Sequence, residues 1–127
     1  MTIKKYQEAT AKTAIYPNVG VIDNINEPAL GDQWPVNYTD YVYPIMGLMG
    51  EVGELANKLK KNIRDHRGHS LALDIKDLSD EIGDVMWYVS QLCTELGIDL
   101  ETVLESNIAK LKSRKDRGVI GGSRDKR

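Results

Sequence analysis

From about Thr39 to Lys115 the apolar residues recur at steps of three and four, the spacing of one helix face, and nowhere alternate long enough to predict a strand. The first long stripe is Ile45, Leu48, Met49, Val52, Leu55, Ala56, Leu59 and Ile63. It predicts a helix capped by Thr39 or Asp40 and running to about Asp65, with Pro44 near the first turn, where a missing amide donor does little harm. Gly68 marks a connection between Asp65 and Ser70, and Leu78, Ile82, Val85, Met86, Val89, Leu92, Cys93 and Leu96 then predict a helix from about Leu73 to Leu96. Gly97 closes that helix, and Asp99 caps another through about Lys115 with Leu100, Val103, Leu104, Ile108 and Leu111 inward. Ahead of these, Tyr6, Ala9, Thr13 and Ile15 sketch a weaker stripe, which predicts a first helix over Thr2–Ile15 stopped by Pro17.

Between the first helix and the rest, residues 16–39 lose all periodicity: Pro17, Gly20, Pro28, Gly31 and Pro35 punctuate a long loop. Trp34 within it either walls a pocket or packs down over the core. At 127 residues the chain suits one domain. The expected fold is all-α, a four-helix-type bundle of long antiparallel helices whose wide stripes are completed by homo-oligomerisation.

Composition adds limits. An apolar fraction of 41%, a charged fraction of 28% and a formal net charge of -2 fit a soluble globular protein and argue against one that coats a nucleic-acid polymer. Charge is uneven, because residues 108–127 concentrate lysine and arginine and end in a basic tail over 117–127. Cys93 is the single cysteine, so no intramolecular disulfide forms and a reducing, cytoplasmic setting is expected. No run is long and apolar enough to span a bilayer, and the first residues turn polar at once, unlike a signal peptide.

The chemistry lies in two short acidic motifs, Glu51-Val52-Gly53-Glu54 and Glu81-Ile82-Gly83-Asp84. Carboxylates three positions apart lie on neighbouring lines of one helix face, and each pair borders an apolar stripe. One such pair on an amphipathic helix is usually a solvated face. Two pairs on consecutive antiparallel helices would place four carboxylates together, an arrangement whose repulsion a hard divalent cation relieves. Magnesium is the expected ion, with manganese as an alternative, and phosphate the expected business of the site. Lys58 follows Glu54 at the spacing of an ordinary ion pair, whereas Glu81 and Asp84 have no base one turn on. Gly47, Gly50 and Gly53 each weaken the helix by roughly 1 kcal/mol relative to alanine, which predicts a close approach of backbone or ligand beside the acids.

Lys58, Lys61, Asn107, Lys110 and Arg114 are candidates to hold a polyphosphate through charge-assisted bonds, and Tyr88 and Trp34 to meet a sugar or base. The late-helix cations are also what the helix dipole favours, and the aromatics are also ordinary core residues. His66 and His69 lack partners at metal-ligand spacing.

Gly47-Leu48-Met49-Gly50-Glu51-Val52-Gly53-Glu54-Leu55 and Asp80-Glu81-Ile82-Gly83-Asp84-Val85-Met86-Trp87-Tyr88 resemble the two metal motifs of the all-α nucleoside triphosphate pyrophosphohydrolases, and within them the MazG-like proteins. The segment from Asn107 to Arg114 is similar to that family's late helix, which helps hold the triphosphate. One departure is Gly50, where the family often has another glutamate. Arg124 and Lys126 also depart from its usual tail. The resemblance implies a magnesium-dependent enzyme that splits a nucleoside triphosphate between the α and β phosphates, with Glu51, Glu54, Glu81 and Asp84 as metal-binding and catalytic residues in a dimer or dimer of dimers. Alternatives on the same site are a dUTP-type hydrolase, a phosphoribosyl-ATP pyrophosphohydrolase, or a helical oligomerisation module that binds nucleotide or metal without turnover.

Overall fold

In the computed structural model, residues 1–16 and 41–119 are described, and they form the helices α1 (Ile3–Ala11), α2 (Val42–His66), α3 (Ile75–Glu95) and α4 (Leu100–Asp116). A single 3-10 turn, Ser70–Ala72, interrupts the link between α2 and α3, and there is no strand among the described residues. Trp34, Thr39, Asp40, most of the predicted loop and residues 120–127 of the tail lie outside the described residues. No helix among the described residues is long and apolar enough to cross a membrane.

Local chemistry accounts for most of the boundaries. Asp74 accepts the Asp77 amide at 3.0 Å to cap α3, and Asp99 accepts the Thr102 amide at 2.7 Å to cap α4. Those bonds hold the Asp99 carboxyl below its ordinary range. After α3, Gly97 takes φ 64°, and the Ile98 amide reaches back to the Cys93 carbonyl at 2.8 Å. Tyr41 occupies the cap position of α2, and its side chain does not cap the helix amides.

The first helix is shorter than its stripe predicts. The Lys12 and Thr13 amides turn tightly onto the Ala9 and Thr10 carbonyls at 3.2 and 3.0 Å, and the Thr13 hydroxyl also donates to the Thr10 carbonyl at 2.8 Å. Side-chain bonding of this kind competes with continuation of a helix. The same hydroxyl accepts the Trp87 indole N–H at 2.8 Å, so a residue on α3 fixes where α1 ends.

The major packing is α2 against α3, with α1 lying on α3 and touching α4. Gly47 faces Tyr88, Glu51 faces Glu81 and Asp84, and Lys58 faces Asp77, so the numbers rise on one helix as they fall on the other. The pair is antiparallel, as predicted. Between α1 and α3 the seam is polar: the Thr10 and Ser90 hydroxyls share a 2.7 Å hydrogen bond, and Gln7 donates to the Ile98 carbonyl and accepts from the Leu100 amide, both at 2.9 Å.

The predicted core requires correction. Among the described residues the buried apolar side chains include Cys93, Pro44 and Leu100, the last only 1% exposed. Leu48 and Leu55 of the α2 stripe are half-buried, but Met49 is 71% and Ile63 65% exposed, and Ile45, Val52 and Leu59 are also on the surface. Val103, Leu104, Ile108 and Leu111 of α4, expected inward, are exposed as well. A stripe wider than the single neighbour that covers it leaves one flank open, and α2 packs chiefly on α3.

Candidate metal centre

Antiparallel pairing puts the middle of α2 opposite the middle of α3, and the two acidic motifs meet there. Glu51, Glu81 and Asp84 each bring a carboxylate oxygen within 4.8 Å of the others. Glu51 and Glu81 are half-buried and Asp84 is exposed. Burial pushes the Glu51 carboxyl above its ordinary range, and the charges of Asp84, Glu54 and Glu81 push it further, with a hydrogen bond to the Glu81 carboxyl adding to the effect. Such crowding favours a proton on one group unless a cation neutralises the others. An all-oxygen, anionic donor set of this kind fits a hard divalent ion.

Glu54 stands outside the group. It is exposed, and its charge is felt at Glu51, but it is not one of the carboxylates within mutual reach. Lys58 crosses to α3, pairing with Asp77 and, at 2.6 Å, with Glu81. Those two acceptors raise its pKa above the ordinary lysine range.

Tyr88 follows Asp84 by one helical turn and borders the centre. Its hydroxyl is raised by burial, then by Tyr43, Glu51 and Asp84. Its ring fills the space above Gly47, where an added Cβ would lie 2.1 Å from the ring. The glycine is required by that approach. Gly50 and Gly53 meet nothing within 4 Å, and at Gly47 the close neighbour is a side-chain ring where a backbone or ligand was expected. Tyr43 stacks on Tyr16 with centroids 4.6 Å apart and tilts toward Tyr88 at 6.5 Å, while Trp87 meets Tyr88 edge-on at 4.9 Å. Sequence reading missed Tyr43, although Tyr43, Gly47 and Glu51 recur every four residues along one line of α2.

On the opposite side of the carboxylates, toward the end of α2, a cavity of about 330 Å³ is lined by residues that include Lys58, Lys61, Asn62, Asp74 and Asp77. Asn107 and Lys110 line a separate hollow along α4, and Arg114 is half-buried on that same helix.

Residues 44–119 match the model of the MazG nucleotide pyrophosphohydrolase domain. The chain belongs to the MazG nucleotide pyrophosphohydrolase family. The match spans both acidic motifs and α4, and the all-helical structure agrees with the family's all-α fold. The chain is also 46% identical, over the full 127 residues of both, to a protein described as "Gene 37 protein" from Mycobacterium phage L5. No solved structure matches it. Membership supports nucleotide pyrophosphohydrolase activity in general, and MazG domains are typically metal-dependent, consistent with the carboxylate group seen here.

Proposed function

We propose that the protein hydrolyses a nucleoside triphosphate between the α and β phosphates, releasing a nucleoside monophosphate and pyrophosphate, with magnesium held by Glu51, Glu81 and Asp84. The observation that carries this reading is the convergence of those three carboxylates, flanked by an aromatic wall on one side and a lysine-lined cavity on the other. Bound there, the ion supplies charge neutralisation and Lewis acidity at the phosphates.

The protein's own groups do the rest. Tyr88 and Tyr43 face the nucleoside, and Lys61 meets the leaving pyrophosphate from the cavity wall. Glu54 lies beside the carboxylate group without belonging to it, so its carboxylate is free to take the proton of the attacking water. The water oxygen joins one phosphorus as the bridging P–O bond breaks, and the bridging oxygen departs with the other phosphate group.

A second copy of the chain completes the molecule in this reading. The open apolar flanks of α2 and α4 offer a surface for it, and the association brings α4 with Asn107, Lys110 and Arg114 to a neighbouring site. Sedimentation at micromolar concentration is expected to give a dimer or larger, and a monomer there contradicts this part.

The deciding experiment incubates the protein with ribo-, deoxyribo- and modified nucleoside triphosphates and with phosphoribosyl-ATP, in magnesium and in manganese, and identifies the products. Monophosphate plus pyrophosphate supports the proposal, and the preferred base separates it from a dUTP-type or phosphoribosyl-ATP enzyme. Tight nucleotide binding without products would favour a non-catalytic module instead.

A further inference from the structure

Lys58 is placed oddly for a phosphate ligand. Its ammonium lies between Asp77 and Glu81, 2.6 Å from Glu81, and its side chain is only a quarter exposed. Glu81 is in turn one of the three converging carboxylates and 13% exposed. Reaching a polyphosphate would require Lys58 to leave two anions it already satisfies, whereas Lys61 lines the same cavity with no such pair among the described residues. The geometry also differs from a surface pair within one helix, because Lys58 reaches across from α2 to α3 instead of to Glu54 one turn earlier.

We infer that Lys58 is an internal counter-cation of the carboxylate centre: it orients Glu81 and, by its charge, weakens the centre's hold on a free divalent ion. This rests on the metal-centre reading proposed above. With its ammonium shared between Asp77 and Glu81, one of the three converging carboxylates already has a fixed counter-charge before any ion binds. The ion is therefore held loosely until phosphate oxygens complete its shell, so it enters most favourably together with the nucleotide. Lys58 is a positioning residue in this account, acting on substrate through Glu81.

The test uses Mn2+ alone, without nucleotide, titrated into the full chain and followed by the electron paramagnetic resonance signal of free Mn2+. The unmodified protein is expected to bind one ion per chain. Removing a unit positive charge at ion-pair distance from a ligand carboxylate tightens binding of a divalent ion about tenfold even at water-like screening, so Lys58→Met gains affinity. Lys58→Gln, which keeps a hydrogen-bond donor and loses the charge, gains in the same direction and decides the matter should Lys58→Met fail to fold. Lys58→Arg stays within about twofold of the unmodified protein, because charge and reach are kept. Asp77→Asn moves the opposite way and loosens binding, since the ammonium then rests on Glu81 alone. Unchanged or weaker Mn2+ binding in both neutral Lys58 variants, with binding intact in the unmodified protein, overturns the inference and leaves the metal centre standing. No Mn2+ binding by the unmodified protein or by either neutral Lys58 variant overturns the centre itself.

Discussion

The two acidic motifs are nearly the same in sequence and unequal in space. On α3 both members, Glu81 and Asp84, enter the converging group, whereas on α2 Glu51 enters and Glu54 stays outside on the exposed surface. Positions three apart on a helix differ by about 60° in direction, so one face can hold both only when the neighbouring helix sits between them. Here α2 presents Glu51 to α3, as its influence from both α3 acids shows, and turns Glu54 past the seam. The lesson is that a repeated motif marks a site without fixing how many of its members serve the same purpose. Glu51, Glu81 and Asp84 are ligands in our reading, and Glu54 is left as a base.

That asymmetry is open to attack, beginning with the ligands. Glu81→Gln or Glu51→Gln should lower hydrolysis on the order of a thousandfold, through lost charge stabilisation, and should abolish measurable Mn2+ binding. Glu54→Gln should lower the rate by about a hundredfold, the loss of a general base, while Mn2+ affinity stays near that of the unmodified protein. Equal loss of metal in the Glu54 and Glu51 variants would make the two motifs equivalent and end the distinction.

A smaller effect concerns the glycines that precede these acids. Gly47→Ala should destabilise the fold by about 1–3 kcal/mol in thermal or denaturant unfolding, because the added methyl meets the Tyr88 ring. Gly50→Ala, which meets open space, should stabilise by up to about 1 kcal/mol. Where Gly47→Ala folds, the displaced ring should raise KM more than it lowers kcat; the reverse split would remove Tyr88 from the nucleoside wall.

The mildest effect is one of pH. The folded, metal-free protein holds the Glu51 carboxyl above its ordinary value near 4.5, chiefly through burial and then through Asp84 and its other acidic neighbours. A carboxyl raised in the fold binds protons more readily than in the unfolded chain, so its contribution favours the fold at low pH and is lost as pH rises through the raised value. A divalent ion competes with that proton. Mn2+ affinity should therefore fall as pH drops through this range, and saturating Mn2+ should flatten or reverse the stability trend; Glu51→Gln should remove the dependence.

Much of the fold was legible because its signals are local. Asp99 caps, Gly97 closes, and the apolar period carries α2, α3 and α4 to within a few residues of the observed ends, although the Asp74 cap of α3 was not read. Long-range contacts were not legible. The Thr13–Trp87 bond that shortens α1 joins residues far apart in sequence, and nothing in the periodicity distinguishes Leu48, which is half-buried, from Met49, which is exposed. At the site, spacing brought out Glu51, Glu81 and Asp84 but wrongly gathered Glu54 with them, and the partner of Lys58 depended on how α2 and α3 align. Its nearest sequence acid at helical spacing is Glu54, yet the antiparallel alignment hands it Asp77 and Glu81. Tyr43 was hidden for a similar reason, since its value comes from Tyr16 and Tyr88 on other segments.

Anomalous diffraction from crystals grown with Mn2+ tests the central claim most directly. The account predicts an anomalous peak at coordination distance from oxygens of Glu51, Glu81 and Asp84 together, with Glu54 outside its inner shell. A peak held by one helix alone, or no peak between α2 and α3 at saturating Mn2+, would contradict it.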